Sequence, residues 1–336
     1  MITIEPDQSD VIAETLASPN AFAVTDANVY TLYGPLFKGA KYYVTGAGEN
    51  YKTLDAVEAV CKKMLESGCG RASRVVAVGG GVVGDTAGFA AAVFMRGVEW
   101  VNVPTTLLAQ VDSGVGGKTG VNLGGYKNII GAFHNPQSVI VSLNFLKTLP
   151  GRERLCGLGE IIKTAFLDGG LNAFIDAELS ALMSFEPSAL EKAVRLCIAF
   201  KQKIVGEDFR ETTGRRKILN LGHTVGHALE TVDCHRLSHG EYVLWGLLYE
   251  AFLTKDYINP LHYLKMTTTL RRVLKGKKLV FDAREAAAAA LADKKNAADG
   301  RVSVIASRDI DSQKEMTFTV REIEESMTLC KKEFGL

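Results

Sequence analysis

Short apolar runs alternate with amphipathic stretches through the first 149 residues, and then the alternation stops. The runs at 21–24, 41–44, 75–78, 100–103 and 139–143 are short, apolar and bounded by glycine or polar clusters, which predicts buried parallel strands. Between them, 53–67 places Leu54, Val57, Val60, Cys61 and Leu65 on one helical face, and an Ala/Gly-rich helical pattern begins near Gly84. Strands separated by helices predict a mostly parallel sheet. Residues 1–20 read as a short lead-in. From Pro150 onward the pattern is helical over 155–166, 171–185, 188–205, 223–234, 241–256, 261–275, 283–293 and 320–332, with one β-type run at 301–306. The expected organisation is a Rossmann-like α/β domain over 1–149 and a mainly α-helical domain over 150–336. A cleft between two such domains is a common ligand site.

The stretch 75–134 concentrates candidate chemistry. Strand 75–78 runs into Gly79-Gly80-Gly81 and then a helical pattern. Strand, glycine turn and helix let backbone N–H groups approach a pyrophosphate at a helix N-terminus, although the spacing is not G-x-G-x-x-G. Strand 100–103 ends at Pro104-Thr105-Thr106, and Asp112, Lys118, Lys127 and Asn128 follow among glycines. Polar groups on connections after buried strands are where α/β sheets hold ligands.

In the helical half, His223-Thr224-Val225-Gly226-His227 puts two histidines at i and i+4 on one helical face, and His239 follows in Ser238-His239-Gly240-Glu241. The zinc-protease motif has Glu where Thr224 stands, so its general base is missing. Glu160 and Lys163 share another helical face. Three N/O ligands with one open position are the composition of a catalytic metal site. Lys201, Arg216 and Asn220, with Lys118, Lys127, Lys163 and Arg96, form a cationic set suited to a substrate carrying phosphate or carboxylate. His134, His235 and His262 have no comparable context.

Composition narrows the function classes. The 336 residues are 47% hydrophobic with a formal net charge of +1, enough for a sizeable core and without the broad basic footprint of nucleic-acid binding. No apolar run reaches the ~18–20 residues of a membrane span. The acidic opening MITIEPDQSDVIAE does not read as a signal peptide. Six cysteines without a C-x-x-C pair read as reduced, buried thiols of a cytoplasmic protein.

The stretches GGGVVGDTAGF, RGVEWVNVPTTLLAQVDSGVGGKTGVN, KNIIGAFHNP, LKTLPGRE, GLGEIIK, LNLGHTVGHALE and HGE occur in the order and spacing of 3-dehydroquinate synthases. GENYK at 48–52 and DKKN at 293–296 match as well. The chain thus resembles that branch of the sugar-phosphate cyclases from about Asp26 to Asn296. The resemblance implies a dehydroquinate synthase-like fold and a homodimer. It implies NAD- and Zn2+- or Co2+-dependent conversion of 3-deoxy-D-arabino-heptulosonate 7-phosphate to 3-dehydroquinate and phosphate, a shikimate-pathway step toward chorismate and the aromatic amino acids. NAD oxidises a hydroxyl, phosphate is eliminated, the ketone is reduced again and an aldol step closes the ring.

By the same resemblance, Glu160, His223 and His239 are metal ligands. NAD is held by Asp26, Asn28, Glu49, Lys52, Gly80, Gly81, Val82, Val83, Gly84, Asp85, Thr105, Thr106, Phe145, Thr148, Leu149 and Glu153, with Asp112, Lys118 and Lys127 where cofactor and substrate meet. Asp112, Lys118, Asn128, Lys163, Lys201, Arg216, Asn220 and His227 are substrate ligands. Lys118, Lys163, Asn220 and His227 are catalytic within that set. Arg96 reaches a neighbouring subunit's site, and Lys294 or Lys295 closes on phosphate. The departures are Gly114 for Ser, Gly159 for Ala, Phe209 after Asp208, one extra residue between Lys201 and Arg216, and bulky Tyr242 and Trp245. The alternatives are a cyclase acting on sedoheptulose 7-phosphate or glucose 6-phosphate, a metal-dependent alcohol or polyol dehydrogenase, and an inactive binding or scaffold protein. The substrates of such cyclases lack the carboxylate that Arg216 suits.

Overall fold

The computed structural model describes residues 1–292 and 300–335. The chain folds as two units, Met1–Pro150 and Gly151–Leu336.

The first unit contains β1 (Ile2–Glu5), α1 (Ser9–Ala17), β2 (Ala21–Asp26), α2 (Ala27–Tyr33), β3 (Tyr42–Thr45), α3 (Leu54–Glu66), β4 (Arg74–Gly79), α4 (Gly81–Val93), β5 (Glu99–Pro104), β6 (Lys118–Leu123), β7 (Tyr126–Phe133) and β8 (Ser138–Ser142). Six strands form one sheet in the order β1-β8-β5-β4-β2-β3, with every pair parallel. Strand β4 shows why the runs lack polar alternation. Val75 and Ala77 pack into a core on one face and Val76 and Val78 into a core on the other, so both faces are dry. The helical pattern after β4 starts at Gly81, earlier than the expected Gly84, because Gly80 serves as its N-cap.

Two expectations need correction here. Residues 1–20 are not a mere lead-in: Ile2–Glu5 pairs parallel to β8 and α1 buries Ile12 and Leu16. Four residues are too few for an alternation to register, and the pairing partner lies far along the chain. The stretch 118–133 folds as an antiparallel hairpin, β6 with β7, outside the main sheet. Its glycine content hid it: Gly120 and Gly131 face each other so closely that a Cβ on Gly131 would lie 2.1 Å from the Thr119 carbonyl oxygen.

The second unit contains α5 (Gly151–Ala165), α6 (Gly169–Met183), α7 (Pro187–Glu207), α8 (His223–Val232), α9 (His239–Leu253), α10 (Pro260–Val273), α11 (Ala283–Ala292), the antiparallel pair β9 (Val302–Asp309) and β10 (Ser312–Phe318), and α12 (Val320–Phe334). Helix starts follow local chemistry. Pro187 and Pro260 open α7 and α10, Asp168 caps α6, and Ser238/Glu241 and Thr319/Glu322 form capping boxes on α9 and α12. The β-type run at 301–306 has a partner, β10, whose exposed, polar strand gives no apolar run to read. Among the described residues no helix is long and apolar enough to cross a membrane; no disulfide joins the six cysteines, of which Cys69, Cys156, Cys197 and Cys330 are buried as expected, whereas Cys61 is half-buried and Cys234 is exposed.

Candidate functional site

A candidate nucleotide site of the first unit lies at the carboxyl ends of its strands. The connection leaving β2 goes to β3 on one side, and the connection leaving β4 goes to β5 on the other. The sheet order therefore reverses between β2 and β4, and such a switch point opens a crevice above the strand ends. Asp26 ends β2 and accepts the N–H groups of Asn28 and Val29 at 2.8 and 3.0 Å. Gly79 ends β4. A Cβ on Gly80 would lie 2.9 Å from Thr106 Cγ2, and one on Gly81 would lie 3.0 Å from Ser113 Oγ. A Cβ here would press on the Thr106 and Ser113 side chains, and the bare turn leaves the first N–H groups of α4 open to an anion. Ser113 Oγ is buried without a hydrogen-bond partner, on a π-type turn (Ala109–Ser113) that also carries Asp112. A bare glycine cradle at a helix N-terminus beside an unsatisfied hydroxyl fits a dinucleotide pyrophosphate. Ser113 was missed in the sequence, since nothing local separates it from an ordinary loop serine.

Lys52 links several expected residues. It is buried, and its Nζ lies 2.6 Å from Asp85 Oδ2 and 2.5 Å from Asn128 Oδ1. Asn128 adopts φ 53°, and its N–H donates to Asn122 Oδ1, while Asn122 Nδ2 donates to Glu49 Oε1 at 2.8 Å. Glu49, Lys52, Asp85 and Asn128 thus form one network. Thr105 is buried, with its N–H on the Gly79 carbonyl, and Thr106 Oγ1 accepts from Ala109 N–H. Val83, Phe145 and Leu149 are buried, Phe145 edge-on to Tyr33, so their backbones rather than their side chains are available to a ligand. Thr148 Oγ1 pairs with Tyr33 Oη at 2.6 Å. Lys118 and Lys127 are exposed on the hairpin, and exposed Arg96 sits at φ 70° beside Gly97. Val82, Gly84 and Asp85 lie in the first turns of α4.

In the second unit three helices meet in backbone contact. A Cβ on Gly240 would lie 1.9 Å from the Cys156 carbonyl oxygen, and one on Gly246 would lie 1.9 Å from that of Gly222. These glycines let α9 touch both α5 and α8, which brings Glu160, His223, His227 and His239 together. The departure at Gly159 has the same cause, since a Cβ there would lie 2.2 Å from the Gly240 carbonyl oxygen. Glu250 on α9 accepts the N–H groups of Gly222 and Val225 at 2.8 and 2.9 Å, fixing the start of α8 around His223. Tyr242, bulky but fully buried, donates to Asp233 Oδ2 at 2.5 Å and accepts from Leu237 N–H.

The ligand atoms of His223, His227 and His239 lie within 4.8 Å of one another. Glu160 Oε1 lies 3.5 Å from Nε2 of His223 and 3.5 Å from Nε2 of His239. Tetrahedral ligands about 2.1 Å from an ion are spaced about 3.4 Å apart, so these gaps suit an ion better than direct hydrogen bonds. Glu160 is 1% exposed and pairs with Lys163 Nζ at 2.5 Å, yet neither carboxylate oxygen has a hydrogen bond of good geometry. His223 Nδ1–H donates to the Leu221 carbonyl at 3.1 Å and His239 Nδ1–H to Glu230 Oε2 at 3.3 Å, which leaves both Nε2 atoms facing the carboxylate. Burial raises the Glu160 pKa, but Lys163 and the imidazoles outweigh it and hold the carboxyl well below its usual range. Burial and Lys163 push His223 down to about 4. Burial lowers His239 too, but the Glu160 and Glu230 carboxylates beside it raise it to about 9. An ionised Glu160 and a neutral His223 are the states in which these groups ligate, and one carboxylate with imidazoles fits a divalent transition metal.

Lys201 and Arg216 are both buried. Arg216 Nη1 donates to the Phe209 carbonyl at 2.9 Å, its Nε lies 3.4 Å from Glu211, and its backbone N–H donates to Asp208 Oδ2. Asn220 is half-buried, three positions before His223, and Glu153 lies in the first turn of α5. Lys294 and Lys295 lie outside the described residues. Glu230, Glu250 and the pairing of His235 with Glu230 were not legible in the sequence, because these act through contacts made only on folding.

A family model described as 3-dehydroquinate synthase N-terminal matches residues 42–156, and one described as 3-dehydroquinate synthase C-terminal matches 157–296. A 3-dehydroquinate synthase of Alkaliphilus metalliredigens is 40% identical over 311 residues, covering 89% of this chain and 87% of that protein. A 2-epi-5-epi-valiolone synthase of Streptomyces hygroscopicus, solved with NAD+ and Zn2+ bound, superposes with a TM-score of 0.87 at 26% identity, over 99% of this chain and 97% of that one. A 2-deoxy-scyllo-inosose synthase, solved with carbaglucose-6-phosphate, NAD+ and Co2+, gives 0.86 at 24% identity, over 97% and 95%.

Proposed function

Since the chain belongs to the 3-dehydroquinate synthase family, we propose that it converts 3-deoxy-D-arabino-heptulosonate 7-phosphate to 3-dehydroquinate and phosphate, using NAD and a divalent ion, Zn2+ or Co2+. The observation that carries this reading is the cluster of Glu160, His223 and His239 with His227 beside it, in gaps sized for one ion. Residues 1–149 form the NAD-binding domain and 150–336 the domain that holds metal and substrate.

Glu160, His223 and His239 hold the ion. The Gly80–Gly81 cradle would hold NAD, with Asp26, Asn28, Glu49, Lys52, Asp85, Thr105 and Thr106. When bound, the metal would acidify a substrate hydroxyl and NAD would supply reversible hydride transfer. The chain's own groups bind, orient and move protons. Arg216 grips the substrate carboxylate with its planar fork, with Lys201 in support. Arg216 Nε lies 3.4 Å from Glu211 in this structure. Lys118, Asn128 and His227 take the phosphate, and His227, Asn220 and Lys163 relay protons. Buried Lys163 keeps Glu160 ionised for the metal. Exposed Arg96, on its left-handed turn, completes the site of a second copy in a homodimer.

The test is incubation with the heptulosonate phosphate, Zn2+ and a catalytic amount of NAD+. Dehydroquinate and phosphate are expected in equal amounts, far exceeding the NAD+ supplied, with loss of both on chelation and recovery with Zn2+ or Co2+. One NADH accumulated per product would make the chain a dehydrogenase. Turnover of sedoheptulose 7-phosphate or glucose 6-phosphate in preference would make it one of the other cyclases.

A further inference from the structure

Two histidines share one buried carboxylate beside the cluster. Glu230 lies on α8 seven residues after His223 and three after His227, hence on the same helical face. It is 8% exposed. Its Oε2 lies 3.3 Å from His239 Nδ1 and its Oε1 lies 3.2 Å from His235 Nδ1. His235 also donates its backbone N–H to the Glu230 carbonyl at 3.1 Å.

The connection between α8 and α9 is shaped to make this contact. Cys234 and His235 both take left-handed backbone, at φ 51° and 59°, which side-chain-bearing residues rarely adopt. The turn brings His235 back onto Glu230. It is tied down by Leu237 N–H on Tyr242 Oη at 3.0 Å and by Arg152 on the Leu237 carbonyl at 3.0 Å.

His239 opens α9, where its ring needs something besides its own helix to fix its orientation. A carboxylate on Nδ1 selects the tautomer with a free lone pair on Nε2, directs that lone pair away from itself, and makes the imidazole a stronger donor. Given the metal reading above, we propose that Glu230 is the positioning residue of this centre. It holds His239 with Nε2 toward Glu160 and is itself held by His235. Glu230 acts through His239, so its effect is read in metal binding.

The test uses full-length, metal-free protein titrated with Co2+ against a competing chelator, with the visible Co2+ absorption recorded and the metal-free melting temperature measured. Glu230→Ala is expected to weaken Co2+ binding about 10–100-fold and to alter the absorption, with metal-free melting little changed. Glu230→Gln keeps an acceptor for His239 and is expected to lose less. Wild-type affinity and absorption in Glu230→Ala, even alongside lowered melting, would make Glu230 structural and overturn the proposal. Should Glu230→Ala not fold, isosteric Glu230→Gln decides. A loss of several-fold with altered absorption supports the proposal, and wild-type values overturn it. His239→Ala serves as the control: unchanged Co2+ binding there would remove the metal reading itself, independently of Glu230.

Discussion

Replacing Gly240 by alanine tests whether backbone contact between α5 and α9 builds the candidate metal centre. The added Cβ would lie 1.9 Å from the Cys156 carbonyl oxygen, 2.7 Å from its carbon and 2.8 Å from its Cα. All three are backbone atoms in a helix, so no side chain can turn aside. Restoring ordinary contact, which begins at 3.4 Å, moves the helices apart by about 1.5 Å (3.4 minus 1.9). Cys156 lies one turn before Glu160, and Gly240 adjoins His239. The Glu160 Oε1–His239 Nε2 gap of 3.5 Å would therefore open toward about 5 Å. One ion with ~2.1 Å bonds spans at most ~4.2 Å even in a straight line. Overpacking of this kind costs about 1–3 kcal/mol, or roughly 2–4 °C of melting temperature per kcal/mol in a unit of this size. The assay is Zn2+ affinity by chelator competition together with thermal melting, with Gly206→Ala as control. Gly206 has nothing within 4 Å of a Cβ and should tolerate alanine. Wild-type metal affinity and melting in Gly240→Ala would refute the argument.

The remaining predictions concern two other networks. Lys52→Met removes the buried ammonium between Asp85 and Asn128; a loss of ~3 kcal/mol in stability and weaker NAD binding are expected by calorimetry, and unchanged NAD affinity would dissociate this network from the cofactor. Burial opposes a low pKa for Asp208, but its hydrogen bonds to Thr213, Arg216 and Thr212 hold the carboxyl below the usual value. The stability it contributes is therefore present above the usual aspartate pKa and is lost as the pH falls through its lowered one. Asp208→Asn should lower the melting temperature at neutral pH, with a gap to wild type that closes toward acid, and a gap independent of pH would refute this.

Much of the fold was legible in the sequence because burial leaves a local record. Strands covered on both faces read as unbroken apolar runs, as at 75–78, and helices covered on one face show the spacing of Val57 and Val60, although Leu54 and Leu65 of the expected face of α3 are exposed and Met64 is buried instead. The glycine turn at 79–81 and the pairing of His223 with His227 were visible for the same reason, since each lies within one turn of chain. The change of pattern at Pro150 was visible too. Tertiary structure decided what depends on distant partners. β1 exists because β8 lies beside it. Gly159, Gly240 and Gly246 are glycines because another helix's backbone occupies the place of a side chain. Glu230 and Glu250 read locally as ordinary helical glutamates. Only folding sets Glu230 against His239 and Glu250 against the N-terminus of α8, where a buried carboxylate must find donors and, in finding them, orients the histidines.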